Sequence, residues 1–201
     1  MSVYSTEEEQ IEAIKRWWRQ NGKSVAVGLI VGAAVLLGGR YWFSYQNQQA
    51  AAASAQYQTV MDALQQNKPD QVMRRGEALV DQYPGSPYAA LASLVMAKVS
   101  LDQGKTEAAS TNLHWVMDHA KQQDLKHVAR LRLAKLLISS GKEGDALTLL
   151  GGADAGSFQA AYEELKGDAY VRQGKTDAAR DAYRAALTAL PAGADRHYLS
   201  M

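Results

Sequence analysis

The chain has 201 residues, with 22 Lys and Arg against 21 Asp and Glu, a formal net charge of +1, no cysteine and 4 prolines. That balance excludes the net basic face that nucleic-acid binding needs, and the missing thiols exclude disulfides, thiol catalysis, a lipidated cysteine and cysteine-ligated metal. Few prolines with abundant Ala, Leu, Gln and long charged residues point to an all-α chain.

Ser5-Thr6-Glu7-Glu8-Glu9 opens the first predicted helix. Ser5 with Glu8, or Thr6 with Glu9, has capping-box spacing, and the carboxylates favour the positive end of the helix dipole. Ile11, Ile14 and Trp18 then share one helical face with Trp17 beside it, while Lys15, Arg16 and Arg19 face elsewhere. Asn21-Gly22 is expected to stop this helix. Residues 1–23 therefore read as a short amphipathic arm at a membrane surface, with Trp17 and Trp18 in the interface and the cations near anionic headgroups. Such an arm sets topology or docks a partner.

Residues 24–43, SVAVGLIVGAAVLLGGRYWF, carry no charge before Arg40. A helix of this length reaches about 30 Å, the thickness of a bilayer's hydrocarbon core. Arg40 can snorkel from its position near one end, and Tyr41, Trp42 and Phe43 form an aromatic belt there. The segment reads as a single transmembrane helix. A cleaved signal peptide is the rival reading, but the nearest small-x-small site, Ala53-Ser54-Ala55, lies well beyond the apolar run. Lys15, Arg16, Arg19 and Lys23 precede the span, and past Arg40 the next cation is Lys68. The positive-inside rule puts the N-terminus in the cytoplasm and the remainder outside. Gly28 and Gly32 form a GxxxG pattern, a spacing that lets a second membrane helix approach closely.

Beyond the span, cationic and acidic residues are equal in number. Ser44–Gln66 lacks Pro and Gly and should continue as helix until Asn67-Lys68-Pro69. Gln71–Tyr83 makes a second helix, and Pro84-Gly85-Ser86-Pro87 a turn. Residues 44–86 thus form a helical extension and a divergent leading hairpin. From residue 87 to 191 the chain repeats. Gly104, Gly141 and Gly174 lie 37 and 33 residues apart. A small residue stands seven before each glycine (Ala97, Ala134, Gly167) and an alanine five after it (Ala109, Ala146, Ala179). That period is a helix–turn–helix solenoid and resembles the tetratricopeptide repeat. The small residues belong where paired helices press together, and each glycine ends helix A in the left-handed conformation. The third repeat adds Tyr170, Tyr183, Ala186 and Pro191 at pattern positions. The large aromatic of the first pattern position is absent in all three, replaced by Ser93, Arg130 and Glu163. Residues 192–201 are a tail.

No phosphate loop, dinucleotide fingerprint, nucleophile elbow or zinc-protease motif occurs. His114, His119, His127 and His197 read as surface or packing residues, and no group of residues supports catalysis, a cofactor or a metal. In a repeat of this kind the A helices line a concave groove. By pattern position its lining is Leu94, Lys98 and Leu101, then Leu131, Lys135 and Ile138, then Glu164, Asp168 and Val171. The groove would be apolar, lysine-flanked at one end and carboxylate-flanked at the other, suited to an extended or unfolded segment or a partner's helix. The alternative is that these leucines are shared repeat core. The cations Lys126, His127, Arg130, Arg132 and Lys135 wrap around one helix and read as a solvated surface.

Tyr4, Gln10 through Lys15-Arg16, Asn21-Gly22-Lys23, Gly28, Gly32 and Arg40-Tyr41-Trp42, followed by the repeats, together resemble the bacterial YfgM-type family, the ancillary subunits of the SecYEG translocon. The likeness covers nearly the whole chain and departs after Leu190-Pro191, beyond which relatives continue. It implies a non-enzymatic, single-pass type II protein of the inner membrane, with membrane lipids around its span and its repeats in the periplasm. It further implies association with the translocon and with the periplasmic folding factor PpiD, and transfer of exported unfolded polypeptides to chaperones. An N-terminal arm acting on the stability of the Rcs response regulator is also implied. The residues alone leave open a tethered scaffold for envelope or cell-wall assembly.

Overall fold

The computed structural model of the chain describes residues 7–190, and all of their regular structure is helical. Eight α-helices follow one another: α1 (Glu7–Gln65), α2 (Pro69–Gln82), α3 (Pro87–Asp102), α4 (Thr106–His119), α5 (Gln123–Ser139), α6 (Glu143–Gly151), α7 (Gln159–Arg172) and α8 (Thr176–Ala189). A single 3₁₀ turn, Gly156–Phe158, precedes α7. The chain divides into two units, residues 1–50 and 51–201. Ser5, Thr6, Pro191, His197 and the tail 192–201 lie outside the described residues.

In the first unit, the expected stop at Asn21-Gly22 does not occur, because α1 continues through it. Glycine terminates a helix by adopting positive φ, and Gly22 is not among the positive-φ residues. Asn21 Nδ2 instead donates to the Trp17 carbonyl one turn back, at 3.2 Å. Beside an apolar run, helical continuation also keeps every backbone group satisfied. The most apolar stretch of α1 has a mean hydropathy of 1.7 and none of it is buried. Ile30, Leu36 and Leu37 are 69%, 72% and 69% exposed. A soluble core helix of this composition would be covered, so α1 has the length and surface of a bilayer-crossing helix.

The second unit is a set of antiparallel helix pairs whose reversals share one construction. Gly104, Gly141 and Gly174 have φ of 72°, 75° and 73°. At the first of these, Gly104 N–H donates to Leu101 O at 2.9 Å and Lys105 N–H to Ser100 O at 2.8 Å. This is the Schellman pattern, which satisfies the last carbonyls of helix A. The same two bonds recur at Gly141 with Lys142 and at Gly174 with Lys175. They also occur at Asn67, φ 52°, where Asn67 and Lys68 donate to Leu64 and Ala63. Asparagine is the residue after glycine that best tolerates this conformation. The leading hairpin is therefore a fourth repeat, in register with the others. Val60 and Val72 stand seven before and five after Asn67, and both are fully buried where the later repeats use Ala or Gly.

Packing follows that register. Val60, Ala63 and Val72 meet Val99 of α3, and Ala53 and Leu79 meet Ala92, so the leading pair is continuous with the first repeat. Leu113 and Val116 of α4 fill the space between Ala90, Leu94 and Ala97 of α3 and Ala129 and Leu133 of α5. Ala134 and Ile138 of α5, Ala146 and Leu150 of α6, and Tyr162 and Ala169 of α7 form the next cluster. Ser86 caps α3, accepting from the Ala89 amide at 3.2 Å with Pro87 at the first helical position. Helix α8, the last of the described helices, has a solvent face of Arg180, Asp181, Arg184, Ala185 and Thr188.

Two buried glycines make opposite predictions about this packing. A Cβ at Gly167 would stand 2.5 Å from Tyr183 Cε1 and 2.8 Å from its Cζ, on a ring tethered through its hydroxyl. A Cβ at Gly76 would stand 2.5 Å from Met96 Sδ, near the end of a flexible chain. Gly167→Ala should lower stability by about 1–3 kcal/mol. Gly76→Ala should stay within about 1 kcal/mol of the parent, since helix propensity offsets the displacement. Urea unfolding followed by circular dichroism reads both.

Candidate partner-binding groove

The expected groove positions divide into three classes. Leu94 and Ile138, expected at the surface, are buried at 5% and 7% exposure and belong to the first and second core clusters. The reason is inter-repeat closure. Leu94 of α3 packs with Leu113 and Val116 of α4 and Ala129 and Leu133 of α5, and Arg132 Nη1 donates to its carbonyl at 3.5 Å. Ile138 is enclosed where α5, α6 and α7 meet. Leu131 is half-buried against the same cluster. By contrast, Lys98, Leu101, Lys135 and Val171 are exposed, while Glu164 and Asp168 are half-buried. Leu101 and Val171 are the large hydrophobics with notable exposure in the second unit, at 39% and 56% among the described residues. Both stand three residues before their turn glycine.

A cleft of about 240 Å³ lies between α3 and α5, lined by Ala97, Lys98, Leu101, Asp102, Leu113 and Arg132. Its floor is apolar. At its rim Lys98 Nζ pairs with Asp102 Oδ2 at 2.6 Å. Sequence reasoning missed Asp102, Leu113 and Arg132 here. The spacing of Arg132 and Lys135 put them on one face of α5, a signal obscured by the other cations around that helix. Those other cations are not all solvated. His127 stacks on Phe158 with centroids 5.0 Å apart, and its Nδ1 lies 2.7 Å from the buried Tyr162 hydroxyl. Arg130 Nη1 donates to the same hydroxyl at 3.3 Å. Tyr162 can then donate to His127, so each partner's proton is used and the α5–α7 seam is polar but satisfied.

The third-repeat end is electrostatically distinct. Burial pushes the Glu164 carboxyl above its usual range, the charge of Asp168 one turn on adds to this, and Lys135 partly offsets it. Tyr183 donates to Asp168 Oδ1 at 2.7 Å. Its hydroxyl is pushed up to about 12, first by burial, then by that hydrogen bond and by the charges of Asp168 and Glu164. Nothing here converges on chemistry: among the described residues no group of His, Asp and Glu could hold a metal ion. Of the repeat-signature positions, Ala97, Ala109, Ala134, Ala146, Gly167, Ala179 and Ala186 are buried, while Tyr170 and Tyr183 are half-buried. In the first unit, Gly28 and Gly32 present an open face, since a Cβ at either would meet nothing within 4 Å.

An apolar helix long enough to cross a bilayer, in one chain with helix pairs reversed at glycine, defines a membrane-type repeat protein of the tetratricopeptide kind. The family pattern described as tetratricopeptide repeat-like domain matches residues 15–201. The chain is 33% identical over 187 residues to a protein of Escherichia coli strain K12 named ancillary SecYEG translocon subunit, covering 93% of this chain and 90% of that one. It is 34% identical over 186 residues to the protein of the same name from Haemophilus influenzae, covering 92% and 90%. A Neisseria gonorrhoeae protein, also so named, is 29% identical over 195 residues, covering 95% and 92%. The chain belongs to the family of ancillary SecYEG translocon subunits. That family is one of translocon subunits, not of enzymes.

The acidic end carries a pH prediction. Folding raises the Glu164 pKa, so the stability its protonated form contributes is present below 4.5 and is lost as pH rises through the shifted value. Glu164→Gln should therefore be more stable than the parent at neutral pH, the gap closing as pH falls toward 4.5. Tyr183→Phe should cost about 1–3 kcal/mol by leaving Asp168 without its donor. It should also remove the stability loss expected between pH 10.0 and about 12. Denaturant midpoints measured across pH test both variants.

Proposed function

We propose that residues 24–43 anchor the chain in the bacterial inner membrane with the N-terminus cytoplasmic and the repeats in the periplasm. There it acts as an ancillary subunit of the SecYEG translocon, helping to pass exported polypeptides to periplasmic folding factors of the PpiD type. The observation that carries this reading is the joint presence of an uncovered apolar helix and a repeat domain in a chain aligned along nine-tenths of its length with proteins so named. The orientation rests on Lys15, Arg16, Arg19 and Lys23 on one side of the span, with Lys68 the first cation beyond Arg40 on the other. Leu101 and Val171, exposed on the A helices, supply apolar contact for a polypeptide, and the open Gly28–Gly32 face supplies close contact for a membrane helix.

The cysteine-free sequence makes the test direct. In intact cells, a membrane-impermeant maleimide should label Ser110→Cys and leave Glu12→Cys unlabelled until the membrane is permeabilised. A photo-crosslinking residue at Leu101 or Val171 should capture exported chains or a periplasmic folding factor, and one at Gly28 a translocon helix. Labelling of Glu12→Cys in intact cells would reverse the orientation. Crosslinks confined to cell-wall enzymes would replace the hand-off role with a scaffold.

A further inference from the structure

Gly22 does not stop α1, and the Trp18 ring lies over it. A Cβ at Gly22 would stand 3.3 Å from Trp18 Nε1 and 3.4 Å from its Cδ1 and Cε2. Side chains on a helix lean toward its N-terminus. This indole, laid one turn toward the apolar run instead, depends on a residue with no side chain beneath it. Ile14 and Trp18 are four residues apart, as are Lys15 and Arg19, so the two pairs stand side by side on the helix. Together they line an open notch of about 420 Å³. Its walls are two apolar side chains and two cations, all exposed.

The cations have no ionic partner: the ion pairs among the described residues all lie in the second unit. Glu12, one turn before Lys15 and Arg16, closes none of them. No acidic residue occurs between Glu12 and Asp62, so the acidic residues of the arm all lie farther from the apolar run than Lys15, Arg16, Arg19 and Lys23. An anionic surface selects that order, cations toward it and carboxylates away. Trp18 and Trp42 are 24 positions apart, about 36 Å along a continuous helix. That exceeds the roughly 30 Å hydrocarbon core and falls short of the roughly 40–45 Å that includes the headgroups. Both rings therefore stand in headgroup layers together. Arg19 is then at headgroup level, and Lys15, about 6 Å farther out, reaches a lipid phosphate through its long stem.

We propose that Lys15 and Arg19 hold the phosphate of one anionic phospholipid, whose acyl chains descend past Trp18 toward Val25 on the same face of α1. The proposal rests on reading α1 as a membrane span and adds a lipid fixed at one face, where that reading needs only a positive flank. Phosphatidylglycerol fits, since its headgroup carries no amine. A zwitterionic lipid brings an ammonium group that the two cations repel.

The full chain in neutral detergent, titrated with phosphatidylglycerol or phosphatidylcholine and read by native mass spectrometry, tests this. One phosphatidylglycerol should be retained per chain in preference to phosphatidylcholine. Lys15→Gln with Arg19→Gln should weaken its binding about 30-fold, with helicity unchanged by circular dichroism. Arg16→Gln with Lys23→Gln removes the same charge from a neighbouring face and should weaken binding far less. Gly22→Leu leaves the charge unaltered and should weaken binding severalfold by lifting the Trp18 ring. Equal losses from the two double variants, or equal retention of the two lipids, would overturn the site and leave a general attraction to anionic surfaces. Full competition by inorganic phosphate would overturn it in favour of a free-phosphate site. If alkaline carbonate releases the parent chain from membranes, the span falls and the site with it. A chain that stays in membranes without preferring phosphatidylglycerol loses the site alone.

Discussion

The second unit depends on one backbone constraint, the need to end each A helix and reverse the chain within a few residues while leaving no buried carbonyl unpaired. A residue at positive φ meets it, because it turns the next two amides back onto the carbonyls of the last helical turn. Four such residues, Asn67, Gly104, Gly141 and Gly174, make that turn with the same pair of hydrogen bonds. A lysine follows each of them as the first residue of the reversal. Fixing the reversal fixes which residues of helix A meet helix B. The positions seven before and five after the turn are then forced into contact, and the side chains there must be small or exactly accommodated. Val60 with Val72 and Ala97 with Ala109 solve that contact differently in different repeats. Gly167 shows the limiting case, where the partner is the face of a tyrosine ring.

The same register has a less obvious effect at the position three before each turn. It is apolar in all four pairs, as Leu64, Leu101, Ile138 and Val171. Were it only a core position, all four would be buried. Ile138 is, enclosed by α6 and α7. Leu101 and Val171 are not. The difference lies in the neighbours. Helix α6 is short, ending at Gly151-Gly152, and is followed by a 3₁₀ turn whose Phe158 and preceding Ala155 fold onto the second cluster. The tie between Arg172 and Glu143, 3.1 Å apart, joins α7 to the start of α6. The middle repeat is thereby closed over its apolar residue, and the flanking repeats are not.

The turns, the repeat period and the small packing residues were legible in the sequence because each is dictated by local geometry that only a few residue types satisfy. Asn67 was harder to see as a repeat turn, since asparagine is a weaker mark of positive φ than glycine and Val60 and Val72 are larger than the residues the pattern favours. Gly22 misled in the other direction. A glycine after asparagine is a good stop only if the helix beyond it is costly, and an apolar run makes continuation favourable instead. The groove was half legible. Pattern position identifies which helix face points inward, but it cannot say whether a neighbouring side chain closes over that face. Leu113 and Leu133 do so at Leu94, and neither is near it in the chain. The cationic helix α5 was misread for a related reason. Its charges serve a buried seam with Tyr162 on one side and an open face on the other, and only tertiary contact separates the two.

Near-neutral charge at the level of the whole chain conceals this separation. A balanced composition is compatible with interleaved pairs, which would make the face indifferent to a partner's charge, or with sorted charges, which would not. Close pairs such as Lys98 with Asp102, Lys166 with Glu163 and Arg172 with Glu143 are interleaved, and Glu164 beside Asp168 departs from that arrangement. Two carboxylates one turn apart repel, and an isolated helix would be destabilised by them. Helix α7 keeps both half-buried, with Asp168 accepting from the Tyr183 hydroxyl and Glu164 partly offset by Lys135 of α5. Packing does not require this, because Tyr183 needs only one acceptor.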